Sequence, residues 1–208
     1  MTISTRNLAA LTNAPALEQL LKAYALLDAI LCPEWEYRYY SFDQLWADGE
    51  RMGSMRNGQG DHFFALFTDS GCFLKGFDHE SPMSPWTRTN DTLCEGLFDG
   101  VPQCFAAAAS EPAFDIPNTT FCIWQENSAE QWQHADIDFA EGSDPDGSEW
   151  LLSMLDGKPQ TYVSWATDYY EIEIATEPVA QILSGGALSP DLVNKLNAKR
   201  TIGELADD

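Results

Sequence analysis

Residues 60–81 read GDHFFALFTDSGCFLKGFDHES, and the fold turns on how this stretch pairs with itself. Two apolar runs, HFFALF and CFLKGF, flank the polar, glycine-ending segment Thr68-Asp69-Ser70-Gly71, a turn signal between two strands. Both faces of each run are apolar, so the hairpin is expected inside a sheet rather than at its edge. A three-residue loop with Gly71 in the left-handed region would set Phe67 opposite Phe73, Leu66 opposite Leu74 and Phe63 opposite Phe77. The same register sets Asp61 opposite His79 and His62 opposite Asp78, on opposite faces at the open end of the hairpin. A slip of one residue would undo those pairings.

The two Asp-His pairs carry two readings. A carboxylate fixes an imidazole's tautomer and raises its pKa, which suits acid–base chemistry or metal ligation, with Glu80 as a further oxygen donor. The plainer reading is that each pair closes the hairpin as a partly exposed ion pair worth under about 1 kcal/mol.

Upstream, the spacing of Leu17, Leu20, Leu21, Tyr24, Leu27 and Leu31 predicts an amphipathic helix over 14–32, with Asn13 as N-cap and Pro15 in the first turn. The aromatic run 34–42 reads as a strand with Trp35, Tyr37 and Tyr39 on one face. Asn57-Gly58 marks a turn between a strand near 50–56 and the first strand of the hairpin. Downstream, prolines at 82, 85, 102, 112 and 117 make 79–118 irregular, a long loop or lid with a short helix at 101–110. A strand is expected at 119–125 and a helix from about 147 to Gly157, opened by the capping box Asp146-Gly147-Ser148-Glu149. Segments 160–167 and 169–175 read as strands, the second from the alternation of Tyr170, Ile172 and Ile174 with Glu171 and Glu173. Helices near 177–184 and 190–198 follow, and 201–208 should fray. The expected fold is α+β in a single domain, residues 1–208: an antiparallel β-meander packed with an N-terminal helix and several C-terminal helices.

The formal net charge is −22, and it is uneven: residues 121–180 hold 13 acids against Lys158 alone. Such a field repels nucleic acid and anionic membrane and attracts a basic protein partner. No segment approaches the roughly 18 apolar residues of a spanning helix, and no secretory leader is recognisable at the N-terminus. Five cysteines without a C-x-x-C read as reduced thiols of a cytoplasmic protein.

Within HADIDFAEGSDPDGSE, residues 134–149, an extended chain would put His134, Asp136 and Asp138 on one side, a spacing open to a hard cation. The alternative is a solvated acidic loop or a docking surface. No G-x-S-x-G, G-x-G-x-x-G or P-loop occurs, so neither a nucleophile elbow nor a nucleotide fold is indicated, and no cofactor is expected.

The block WEYRYYSFDQLWADGERMGSMRNGQGDHFFALFTDSGCFLKGFDHESPMSPW, 35–86, resembles a segment of uncharacterised bacterial proteins. The order of leading helix, aromatic meander and acidic second half is similar in character to immunity proteins of polymorphic toxin systems, small acidic α+β proteins that bind and neutralise a cognate toxin. The resemblance implies binding rather than catalysis and carries over no functional residue. The expected partner-binding groups are Glu126, Glu130, Asp136, Asp138, Glu141, Asp144, Glu171 and Glu173. The competing expectation is a metal-dependent hydrolase using Asp61, His62, Asp78 and His79, with His134 as a further candidate, under the 79–118 segment. The oligomeric state is left open.

Overall fold

The computed structural model describes residues 2–88 and 92–205; the expected end of the tail, 206–208, and positions 89–91 of the 79–118 segment lie outside the described residues. Helix α1 (Ala14–Leu31) begins as expected: the Asn13 side chain accepts from the Ala16 amide, and Pro15 sits in the first turn. Strands β1 (Tyr40–Ala47), β2 (Glu50–Arg56), β3 (His62–Thr68), β4 (Gly71–Phe77) and β5 (Phe121–Glu126) form one antiparallel sheet in sequential order. Helices α2 (Ser148–Leu152), α3 (Pro159–Tyr170), α4 (Thr176–Leu183) and α5 (Pro190–Leu196) complete the α+β fold.

β3 is the central strand, and its two apolar faces go to two cores. Phe63, Ala65 and Phe67 join Leu17, Leu21, Tyr24 and Leu27 of α1 in the larger core, which the C-terminal helices extend. Leu66 faces the other way, with Phe73, Cys122 and Trp124. That second face is covered by the expected loop, here a run of 3-10 turns that buries Phe105 and Phe114 against the sheet. Burying each such side chain contributes roughly 1.5–3 kcal/mol before entropy is counted, so this irregular segment is a packed layer.

Four local expectations are corrected. The β3–β4 turn has two residues, Asp69 and Ser70, and Thr68 pairs with Gly71, which shifts the register so that Leu66 meets Phe73, Phe67 meets Cys72 and Phe63 meets Gly76. Gly71 is not the left-handed residue of a turn: its φ is +140°, and a Cβ there would lie 2.0 Å from the Gln125 carbonyl oxygen. The close approach of β5 therefore requires glycine at this position. Second, 160–170 is helix α3, not strand. Tyr162, Val163 and Ala166 are buried at helical spacing, Pro159 opens the helix, and Glu171 ends it in the left-handed region at φ 55°. Ile174 is buried and Glu171 and Glu173 are exposed, as the alternation implied, but the stretch pairs with no strand.

Third, 35–37 is a 3-10 turn, and β1 starts only at Tyr40; Trp35 and Tyr37 are exposed while Tyr39 is buried. Fourth, the cap of α2 is not Asp146. The Asp144 carboxylate accepts from the Glu149 and Trp150 amides, and Asp146 is buried with Thr5 and Ser148, tying the N-terminal segment to α2. At the other end of the chain, Ile202–Leu205 forms a 3-10 turn whose Ile202 and Leu205 pack on the larger core. All five cysteines are free thiols, with Cys32, Cys72 and Cys122 buried.

Candidate functional site

The open end of the β3–β4 hairpin brings together one of the two expected Asp-His pairs. Asp61 is nearly buried, and its Oδ1 receives both the His79 amide (3.0 Å) and His79 Nδ1 (2.6 Å). Its Oδ2 receives Asn57 Nδ2 at 2.6 Å, and the Asn57 Oδ1 in turn accepts from the Gln59 and Asp61 amides. The turn at Asn57-Gly58 thus holds the carboxylate in place. The pair survives the register shift because His79 lies beyond the end of β4, where the chain bends and is no longer bound to the ladder. Burial raises the Asp61 pKa, but donors from His79 and Asn57 outweigh it and hold the carboxyl below its usual range. The same hydrogen bond raises the His79 pKa above its usual value.

Asp78 stands beside this pair. Its Oδ1 accepts from the Glu80 amide, and a Cβ on Gly147 would lie 2.3 Å from the Asp78 Cβ, so the α2 entrance packs directly on it. Burial, then the charges of Asp61 and Asp144, raises its pKa. Asp61, Asp78 and His79 each offer a ligand atom within 4.8 Å of the others, the one group of this kind among the described residues. Trp86 closes one side, its ring centroid 6.0 Å from that of His79, and remains 59% exposed.

His62 does not meet Asp78. Its Nε2 is 2.9 Å from Lys75 Nζ, because the shifted register places His62 opposite Phe77 and turns its ring along β3–β4 toward Lys75. Burial and the neighbouring ammonium push the His62 pKa down to about 4, so the ring is neutral at pH 7. Lys75 is wholly buried, donates also to the Asp115 and Asn118 carbonyls, and has its pKa pushed down to about 7 by desolvation. This buried amine escaped the sequence reading. Its signal was there: a lysine within GCFLKGF, on a strand with both faces apolar, has no route to solvent.

His134, Asp136 and Asp138 do not converge. His134 Nδ1 lies 2.6 Å from the Ala135 carbonyl and its ring packs on Phe139, while Asp136 and Asp138 are exposed. The chain here runs back along β5: Gln133 pairs with Trp124, and Trp132 and Ala135 are buried. Inward apolar residues alternate with the outward Asp136, Asp138 and, further on, Glu141. With Glu126 and Glu130 these line a path that begins beside Gly71 and ends near Asp78, where Asp144 caps α2. No lysine or arginine occurs between Arg88 and Lys158, and the cation that reaches this end of the path comes from outside it: Arg6 donates to the Ser143 carbonyl, between Glu141 and Asp144. Glu171 and Glu173 are elsewhere. They follow Tyr169, whose hydroxyl reaches the Tyr37 carbonyl beside β1, the opposite edge of the sheet.

Comparison of the chain with protein-family models, with curated proteins and with solved structures found no match in any of the three. No helix among the described residues is long and apolar enough to cross a membrane.

Proposed function

We propose that the protein is a non-enzymatic binding module that engages a basic protein surface, in the manner of an immunity protein or inhibitor. The observation that carries this reading is the acidic path along β5: Glu126, Glu130, Asp136, Asp138 and Glu141 on a segment whose other side is anchored in the core. Carboxylates on a fixed backbone steer a cationic partner and set its register, whereas their contribution to affinity is smaller. Affinity would come from aromatic anchors. Trp86 and Trp150 are both more than half exposed, and both stand at the Asp78 end of the path, Trp86 against His79 and Trp150 donating its amide to Asp144.

The test is a charge reversal. Replacing Glu130, Asp136, Asp138 and Glu141 by lysine should slow association with a cationic partner protein from the native host at least tenfold at low salt. The paired change Glu171→Lys with Glu173→Lys should leave the rate nearly unchanged. Equal effects of the two sets would defeat the reading.

A second reading has a specific observation behind it, the convergence of Asp61, Asp78 and His79. These three would bind a divalent cation such as Mn2+ or Zn2+ only if the metal displaced the His79 proton from Asp61, or used the His79 Nε2 with Asp61 as its orienting partner. A rise in melting temperature with Mn2+ or Zn2+ beyond that given by equal ionic strength, lost in His79→Ala, would favour it. An unchanged shift in that variant removes His79 from the reading.

A further inference from the structure

The two edges of the sheet are finished differently. Along β5 the chain returns through 132–135, and Gln133 pairs with Trp124 to cover that edge. β1 has no such cover. The Arg56 amide donates to the Tyr39 carbonyl, so by the alternation of an antiparallel ladder Ser41 and Asp43 point their backbone groups at β2. Tyr40, Phe42 and Gln44 point theirs outward. Asp28 takes the outward Tyr40 amide. Among the described residues no hydrogen bond reaches the Tyr40 carbonyl or the amide and carbonyl of Phe42 and of Gln44. An open groove of about 310 Å3 runs beside them, lined also by Leu26, Trp35 and Leu205.

An open strand edge pairs with another chain unless it is blunted. Here the blunting lies past Gln44, where the β1–β2 ladder shifts register between Asp43 and Ala47 and Asp43 Oδ1 accepts from the Leu45 amide. Residues 40–44 read YSFDQ, and a two-fold axis through Phe42 matches this run with itself. Phe42 meets Phe42, Gln44 meets Tyr40 and Ser41 meets Asp43, so no charge directly faces its like. The distribution of charge favours a second copy at this place. Residues 1–60, which hold α1 and β1, carry seven acids and five bases, −2 of the total −22. Repulsion between two copies is therefore weakest where their β1 edges meet.

We propose that β1 is a self-association edge: two copies of this chain pair antiparallel through Tyr40–Gln44 and join their sheets into one. The Phe42 amide and carbonyl of each copy bond those of the other, and each Gln44 amide meets a Tyr40 carbonyl. The ladder ends there because Asp28 already holds the Tyr40 amide. Between these bonds the Ser41 hydroxyl of one copy donates to the Asp43 carboxylate of the other. The half-buried Phe42 rings, each stacked on its own Phe67, come together across the axis as a cross-strand aromatic pair. The proposal does not depend on the acidic path, which lies along the opposite edge of the sheet and stays open in the pair.

Sedimentation equilibrium of the full chain, from micromolar to millimolar concentration, tests this. The mass should rise from one chain to two, and added salt should tighten the association because it screens the repulsion of two acidic copies. Ser41→Asp sets a carboxylate opposite Asp43 at both crossings and should weaken the dimer at least roughly tenfold, whereas Ser41→Lys should tighten it several-fold. The same two changes at Ser128, exposed just past the end of β5, alter the net charge equally and should move the dissociation constant far less. Gln44→Pro deletes only the outward amide and should abolish association. The Ser41 variants leave every backbone group in place, so they keep the test decisive should circular dichroism show Gln44→Pro unfolded. A monomer at every concentration and salt overturns the proposal. So does a dimer that Ser41→Asp leaves intact, or one that the Ser128 changes shift as much as the Ser41 changes do.

Discussion

Asp28 offers the sharpest quantitative test of how this fold is held together. It lies on α1 with no exposure, its Oδ2 accepting from the Tyr39 (3.0 Å) and Tyr40 (2.7 Å) amides and its Oδ1 from the Tyr162 hydroxyl (2.5 Å). One side chain thus ties α1 to the start of β1 and to α3. Desolvation raises its pKa from 3.8 to about 6, against the opposing effect of those donors. An acid whose pKa is higher folded than unfolded stabilises the protein fully only below the unfolded value, and that stability is lost as pH rises through the folded value. The loss between pH 4 and pH 7 amounts to about 2–3 kcal/mol, a large share of the roughly 5–15 kcal/mol that holds a domain.

Asp28→Asn should remove that dependence. Its Oδ1 can accept both amides, and its Nδ2 can donate to the Tyr162 oxygen once that hydroxyl reverses its role. Urea denaturation followed by tryptophan fluorescence, at pH 4 and pH 7, gives the difference between native chain and variant. The variant should gain about 2–3 kcal/mol on the native chain as pH rises. Asp28→Ala, by contrast, strands two amides and a hydroxyl at about 1–3 kcal/mol each and should be far less stable than Asp28→Asn at both pH values. A flat difference between native chain and Asp28→Asn, or equal losses in Asn and Ala, would refute the reasoning.

The histidines should separate in an NMR titration: His62 should stay neutral until about pH 4, and His79 should titrate above the ordinary histidine value. Asp61→Asn should bring His79 down toward that value and, because the Asp61 charge is only the last of several influences on His62, lower His62 by less. The lowered pKa of Lys75, about 7 against 10.5, means the unfolded chain binds more protons above neutrality, so native stability should rise with pH there. That rise is about 2 kcal/mol between pH 7 and pH 9, and Lys75→Met should flatten it in denaturant titrations. Gly71→Ala drives a Cβ into the Gln125 carbonyl and should cost about 1–3 kcal/mol or more, seen as a lower urea midpoint; a loss below about 0.5 kcal/mol would contradict the β4–β5 approach.

Much of the fold was legible in the chain because it rests on local signals. The stripe from Leu17 to Leu31, with Asn13 and Pro15 before it, specified α1, and the Asn57-Gly58 turn and the doubly apolar 62–67 run specified a central hairpin. The α+β class follows from those elements and from the proline-delimited helices at the C-terminus. Helix α3 was misread because its aromatic and β-branched residues favour strands, while the alternation just beyond it has period two. Packing of Tyr162, Val163 and Ala166 against α1 and α4 decided for the helix.

What the sequence could not decide was register and convergence. A turn of two residues or three slips the pairing by one residue, about 3.3 Å along the strand, and the segment Thr68-Asp69-Ser70-Gly71 is locally compatible with either. That choice sent His62 to Lys75 and left Asp61 with His79. Nor does any local pattern say that Asp28, in an otherwise apolar helix, would find two amides and a tyrosine 134 positions away. Charge and periodicity are properties of the chain and can be read along it. Which polar groups share a buried volume depends on long-range closure, and only the folded arrangement decides it.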